Sequence, residues 1–378
     1  QLLKMVSAQW RRCMQRLHLQ RKMVCGLMRG LQFLEAKVKV YFWSKEMLTV
    51  GLIGAGRIGR VHANTISMHA NSKLVAVADV IEDNALKLAR DFGGQACTVD
   101  AIYKDKSIDA VLVASSTDTH SEIIEKATLA GKAVLCEKPV DISLVRAKQC
   151  LENTKANGQP IMLGFNRRFD PNFVALKSEL DAGEIGKAEL LAITSFDPAP
   201  PPIDILKVSG GLFKDMMIHD FDMVNFLFEG LPKSIMVSAS SVIDKKISEL
   251  GDYDTAVATL KYTDGRLVVI KNSRRAAYGY DQRIEVLGSK GLLQVQNVVE
   301  DGIIKSTQLG VQSSKPEYFF LERYKAAYQK EWAAFVSAVQ MKTPVPVTLA
   351  DGISALAMAE AAAVSAKTGS DVELANFL

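Results

Sequence analysis

From Thr49 onward, short apolar runs alternate with segments whose apolar residues recur at helical spacing. Val50, Leu52 and Ile53 predict a buried strand, and the pattern over 57–70 predicts a helix. Further strands are expected over 73–79, 96–99, 109–115, 133–137 and 160–165, with helices over 82–92, 119–130 and 143–157. Near-continuous apolar strands such as DAVLVAS suit a sheet covered on both faces. This half therefore predicts an α/β, doubly wound parallel sheet with right-handed crossovers.

After Phe165 the rhythm changes. A helix over 171–182 precedes a strand over 187–196, and PAPPP at 198–202 lacks the N–H donors a ladder needs. A helix over 212–228 leads to strands over 234–241, 255–263, 266–272, 282–287 and 292–296. Thr263-Asp264-Gly265 and the stretch 288–291 supply hairpin turns. The expectation is a second, α+β domain on a large, mainly antiparallel sheet. Helices over 319–339 and 349–367, separated by Pro344 and Pro346, close the chain. The expected division is 47–166, 167–340 and a terminal helical segment at 341–378.

Composition adjusts this picture in a few places. The chain has 378 residues, room for two cores, and its 23% charged and 48% hydrophobic residues are ordinary for a globular protein. A net charge of +4 is too small to suggest a nucleic-acid partner. Ten Lys or Arg fall in 1–46 against only Glu35 and Glu46. That stretch reads as a mitochondrial-type transit segment, a basic amphipathic arm, or sequence upstream of a start at Met47. Sparse Ser favours the last, so 1–46 is expected to stand outside the fold. Five cysteines, an odd number with no C-x-x-C pair, suit free thiols in a reducing compartment, the cytoplasm. A mitochondrial address follows instead if 1–46 is a transit segment. No run approaches the ~18 apolar residues that span a bilayer, and no membrane partner is expected.

Chemistry enters with GAGRIG. Gly54, Gly56 and Gly59 stand at G-x-G-x-x-G spacing between strand and helix. The first permits a tight turn, the second lets a pyrophosphate approach the backbone, and the third lets helix and strand pack closely. The N–H groups of Arg57 and Ile58 open a helix whose positive end favours phosphate. Alone, the pattern also fits a Gly-rich turn that serves packing. Asp79, at the end of the second strand, can bind an adenosine ribose and repel a 2′-phosphate, which favours NAD over NADP. Lys138, in Glu137-Lys138-Pro139, sits where a strand ends and ligands bind in open parallel sheets. Asp215 and His219 are spaced i, i+4 on one expected helix, a pairing suited to proton transfer but also to a satisfied surface pair. Two ligands without a third do not make a metal site, so no metal is expected.

Together GAGRIG, EKP and GGLFKDMMIHDFD, with GFNRRFD, AYGYDQRIEVLGSKG and DGISALAMAEAA, resemble the Gfo/Idh/MocA oxidoreductases from Met47 to about Leu374. Within that family the chain is most similar to inositol 2-dehydrogenases. The resemblance implies a Rossmann domain binding NAD and oxidation of a cyclitol, myo-inositol to 2-keto-myo-inositol (scyllo-inosose), with a related pyranose as the alternative. It implies that Lys138 hydrogen-bonds the reacting hydroxyl, that His219 is the base, and that Asp215 holds its tautomer. It places Arg167 and Tyr280 at the substrate, and Ser115, Thr117, His120, Glu137 and Lys138 along the cofactor. It further implies a homo-oligomer, tetramer or dimer, formed through the second sheet.

Overall fold

The computed structural model describes residues 47–378. The expectations for 1–46 lie outside the described residues. The first half builds β1 (Leu48–Ile53), α1 (Arg57–Met68), β2 (Ser72–Ala78), α2 (Glu82–Phe92), β3 (Gln95–Ala96), α3 (Val99–Lys104), β4 (Ala110–Val113), α4 (His120–Leu129), β5 (Ala133–Glu137), α5 (Leu144–Thr154) and β6 (Ile161–Gly164). Its strands are all parallel, in the order β3-β2-β1-β4-β5-β6. Strand order reverses at β1, between β2 and β4, so the crevice for a ligand opens at the carboxyl ends of β1 and β4. The expected strand over 96–99 is only two residues long. Thr98 accepts a hydrogen bond from the Ala101 N–H and caps α3, turning the chain into a helix the apolar pattern was too short to reveal.

The second half contains α6 (Pro171–Asp181), β7 (Ala188–Phe196), α7 (Ile218–Leu227), β8 (Ser234–Ser240), β9 (Thr255–Lys261), β10 (Leu267–Ser273), β11 (Asp281–Gly288) and β12 (Gly291–Val295). Asp170 caps α6 by accepting from the N–H groups of Asn172 and Phe173. A hairpin, β13 (Ile304–Thr307) with β14 (Gly310–Ser313), precedes α8 (Lys325–Met341), α9 (Leu349–Thr368) and β15 (Val372–Glu373). The large sheet runs β12-β11-β7-β10-β9-β8-β15. It is mixed, because β7 and β10 pair in parallel. A long connection separates these two strands, so no tight turn forces them antiparallel. The two-residue β15 and the polar hairpin carry too little apolar pattern to be read from sequence.

The terminal helices do not form a segment of their own. α9 packs on α7 and β8 and also on α5 and β6, and β15 extends the large sheet. With 20 residues and a mean hydropathy of 1.3, α9 is long and apolar enough to cross a membrane. Asp351, Ser354, Glu360 and Ser365 interrupt it, so it holds no long contiguous apolar run. Ala355, Leu356, Met358, Ala359 and Ala362 are buried in the core, which accounts for that composition.

Candidate active site

Every candidate cofactor, substrate and catalytic residue except Gly59 lines one cavity of about 1170 Å³. Gly59 lies behind the glycine turn, where a Cβ would stand 2.0 Å from the Gly54 carbonyl oxygen. A Cβ on Gly56 would meet nothing within 4 Å, so the main chain there is open to a diphosphate. α1 begins at Arg57 with no acidic residue in its first turn and no side-chain cap, leaving its first N–H groups free for an anion. Asp79 accepts from the N–H of Ala55 at 2.6 Å and of Ile81 at 2.8 Å, which fixes its carboxylate beside the glycine turn. These residues fit NAD.

Ser115 and Thr117 occupy the turn after β4, where the Ser115 and Thr119 hydroxyls pair at 2.7 Å. His120 is buried, and its ring nitrogens face main-chain carbonyls: Nδ1 to Pro139 at 2.8 Å and Nε2 to Ser115 at 3.1 Å. It braces the turn after β4 against the Lys138-Pro139 segment, whose peptide bond is cis. Burial holds its pKa below the usual value.

At the far end of the cavity, Lys138 Nζ donates to the Asp215 carbonyl oxygen at 2.8 Å and lies 3.4 Å from Oδ1. Asp215 Oδ2 stands 3.4 Å from Nη1 of the buried Arg274. Asp215 does not hold His219, contrary to the i, i+4 expectation. Residues Phe213–Met217 form a π turn ahead of α7, and its wider winding directs Asp215 to Lys138 and Arg274. The Nδ1 of His219 is buried without a hydrogen-bond partner among the described residues, and its ring packs edge-on to Phe165. Burial, and then the charges of Lys138 and Arg167, push its pKa well below 6.5, so the imidazole is neutral at pH 7 and able to accept a proton.

Arg167 is buried and donates to Asp220 at 2.6 Å and to Ser195 at 3.1 Å. Asn272 binds the other oxygen of Asp220 at 2.8 Å. Tyr280 packs edge-on to Tyr324 at 6.0 Å. Arg167 and Tyr280 both line the cavity, Arg167 held by Asp220 and Ser195.

Asp197 and Arg274 also line the cavity, and no motif singles them out. Asp197 follows β7 and Arg274 follows β10. Because these strands are parallel and in register, both residues emerge side by side, with the Asp197 N–H bonded to the Ser273 carbonyl at 2.9 Å. Burial raises the Asp197 pKa to about 7 against the opposing pull of Arg274. Periodicity along the chain does not give strand direction, so it does not bring the pair together. The DP step before PAPPP, at a strand end, was the available signal.

A glycine turn at a helix N-terminus, a carboxylate at the end of the neighbouring strand and a neutral imidazole in the same cavity are the parts an oxidoreductase with a dinucleotide cofactor needs. The chain belongs to the Gfo/Idh/MocA family. The model described as "Oxidoreductase family, NAD-binding Rossmann fold" matches residues 48–165, and that of the "GFO/IDH/MocA C-terminal domain" matches 173–294. Among similar proteins, the inositol 2-dehydrogenase of Rhizobium meliloti (strain 1021) is 44% identical over 325 residues, 86% of this chain and 98% of that one. The myo-inositol 2-dehydrogenase of Thermotoga maritima is 43% identical over 329 residues, 86% of this chain and 98% of that one. The crystal structure of myo-inositol dehydrogenase from Lactobacillus casei in complex with NAD(H) and myo-inositol superimposes with a TM-score of 0.78 at 28% identity, covering 86% of this chain and 96% of that one. The protein is an NAD-dependent oxidoreductase acting on a CH–OH group.

Proposed function

We propose that the chain oxidises a cyclitol, foremost myo-inositol to 2-keto-myo-inositol (scyllo-inosose), with His219 as base. The observation that carries this reading is the meeting of Lys138, Asp215 and His219 at the end of the cavity away from the Asp79 carboxylate. The names of the relatives support the substrate class.

Bound NAD supplies the hydride acceptor. The chain's own residues handle the proton and the oxygen. His219, neutral and desolvated, takes the hydroxyl proton as the carbon loses its hydride. Lys138, anchored on Asp215, donates to the oxygen and stabilises the developing alkoxide. One alcohol thus gives one ketone, with the hydride on NAD and the proton on His219. Arg167, Tyr280, Asp197 and Arg274 surround the space where a polyhydroxy ring needs directional partners.

The test is NADH formation across a panel of cyclitols and pyranoses with NAD and with NADP. Turnover of myo-inositol with NAD is expected. Faster turnover of glucose-type sugars would move the assignment to a pyranose dehydrogenase, and no turnover by a folded, NAD-binding sample would leave a cofactor-sensing protein. We place this activity in the cytoplasm, which the free thiols of Cys97, Cys136 and Cys150 support.

A further inference from the structure

Glu331 lies in the middle of α8 with no exposed surface. Neither of its carboxyl oxygens has a hydrogen-bond partner among the described residues. Tyr328, one turn earlier on α8, meets the ring of His62, which pairs with Glu137 at the end of β5, and the Glu137 charge acts on Glu331. The Nε2 of His62, on α1, lies 2.8 Å from Oε1 of Glu137. His62 is buried, its Nδ1 is unpartnered, and its ring meets Tyr328 edge-on at 5.5 Å. Gly164 lies opposite Glu137 in the sheet, where a Cβ would come within 3.3 Å of the carboxylate. The fold therefore keeps room for this acid. Glu137 lines the cavity immediately before Lys138, whereas Glu331 sits behind it.

Two carboxyl groups acting on each other in a dry site do not both ionise at neutral pH. Burial, and then the charge of Glu137, hold Glu331 in its protonated form. The other groups around the cluster are Lys138 and His120 near Glu137, and Tyr280 and Tyr324 near Tyr328.

We propose that His62, Glu137 and Glu331 form a proton-holding site at the reacting end of the cavity, one that releases its proton to solvent when oxidised NAD binds. A hydride acceptor that serves Lys138 and His219 would bring its positively charged nicotinamide to the part of the cavity that Glu137 also lines. That charge stabilises a second carboxylate and lowers the cluster's hold on its proton. Reduced NAD has an uncharged ring and lacks this effect. Oxidised NAD therefore binds more tightly as pH rises through the cluster's titration, and the site favours the oxidised over the reduced cofactor.

The inference rests on Lys138 and His219 marking the reacting end. Substrate turnover tests that reading, whereas binding heats test this one, so either can fail alone. Oxidised NAD is titrated calorimetrically into the full chain at neutral pH, in buffers with contrasting ionisation heats. The wild type is expected to release a measurable fraction of a proton with oxidised NAD and less with reduced NAD. Glu331→Gln keeps the shape and removes the acid, and it should at least halve that release. Asp197→Asn removes another acid of the cavity, one that titrates at about 7, and should leave at least half of the release. Should Glu331→Gln not fold, as judged by circular dichroism, Glu137→Gln must reduce the release in its place. No proton exchange in the wild type overturns the proposal. So does undiminished release in the Glu331 or Glu137 variant, or loss of more than half of the release in Asp197→Asn.

Discussion

Lys138 and His219 face the same cavity, yet the structure ties only the lysine to a carboxylate. A base without an anionic partner, buried near two cations, titrates low. As the proposed base it works in its neutral form, so kcat/KM should fall only as pH drops through a value below 6.5, and a pH–rate profile reads this directly. A limb near pH 7 that disappears in Asp197→Asn belongs to Asp197 instead. His219→Ala should lower kcat by about 10²-fold or more with NAD affinity retained, the size expected for a lost general base. Asp79 makes a second prediction at this scale. Its carboxylate is pinned by two main-chain N–H groups and so cannot swing away from a 2′-phosphate. Asp79→Ala should raise the NADP-to-NAD ratio of kcat/KM by at least about tenfold, the effect of roughly 1.4 kcal/mol.

At the scale of elements, the glycine turn and the π turn do opposite things. The turn brings α1 against β1 so closely that only Gly59 fits. Gly59→Ala gains about 1 kcal/mol of helix propensity. The new Cβ would stand 2.0 Å from a backbone oxygen, which cannot yield as a side-chain end can, and overpacking costs about 1–3 kcal/mol. Lower denaturant stability and weaker NAD binding are expected together, by unfolding and by titration. The π turn, in contrast, widens the helix so that Asp215 serves Lys138. Helical spacing put Asp215 and His219 on one face. One extra residue in the winding separates their partners, and no residue type in FKDMM announces it.

For the whole molecule, the large sheet leaves one face uncovered. Leu267, Leu190, Leu287 and Leu292 pair across four adjacent strands, and Leu267, Leu287 and Leu292 are 46%, 42% and 45% exposed. A contiguous apolar row on a sheet face marks an association surface. A homo-oligomer, dimer or tetramer, is the expected state by sedimentation, and Leu287→Glu should shift it towards monomer without loss of secondary structure. A monomeric wild type at micromolar concentration would overturn this expectation.

The local rhythm of strands and helices is written in the order of the residues. Apolar periodicity placed most strands and helices within a few residues, because burial imposes it directly on neighbouring positions. GAGRIG, Asp79 and Lys138 were legible because each acts from a fixed place at a strand end. Only the tertiary structure decided how distant segments face one another. The parallel pairing of β7 and β10 set Asp197 beside Arg274, the π turn gave Asp215 to Lys138, and α8 carried Glu331 behind Glu137. Strand direction after a long connection, helix winding and the approach of one helix to another's strand depend on contacts between residues far apart in the chain. Periodicity along the chain carries no record of such contacts.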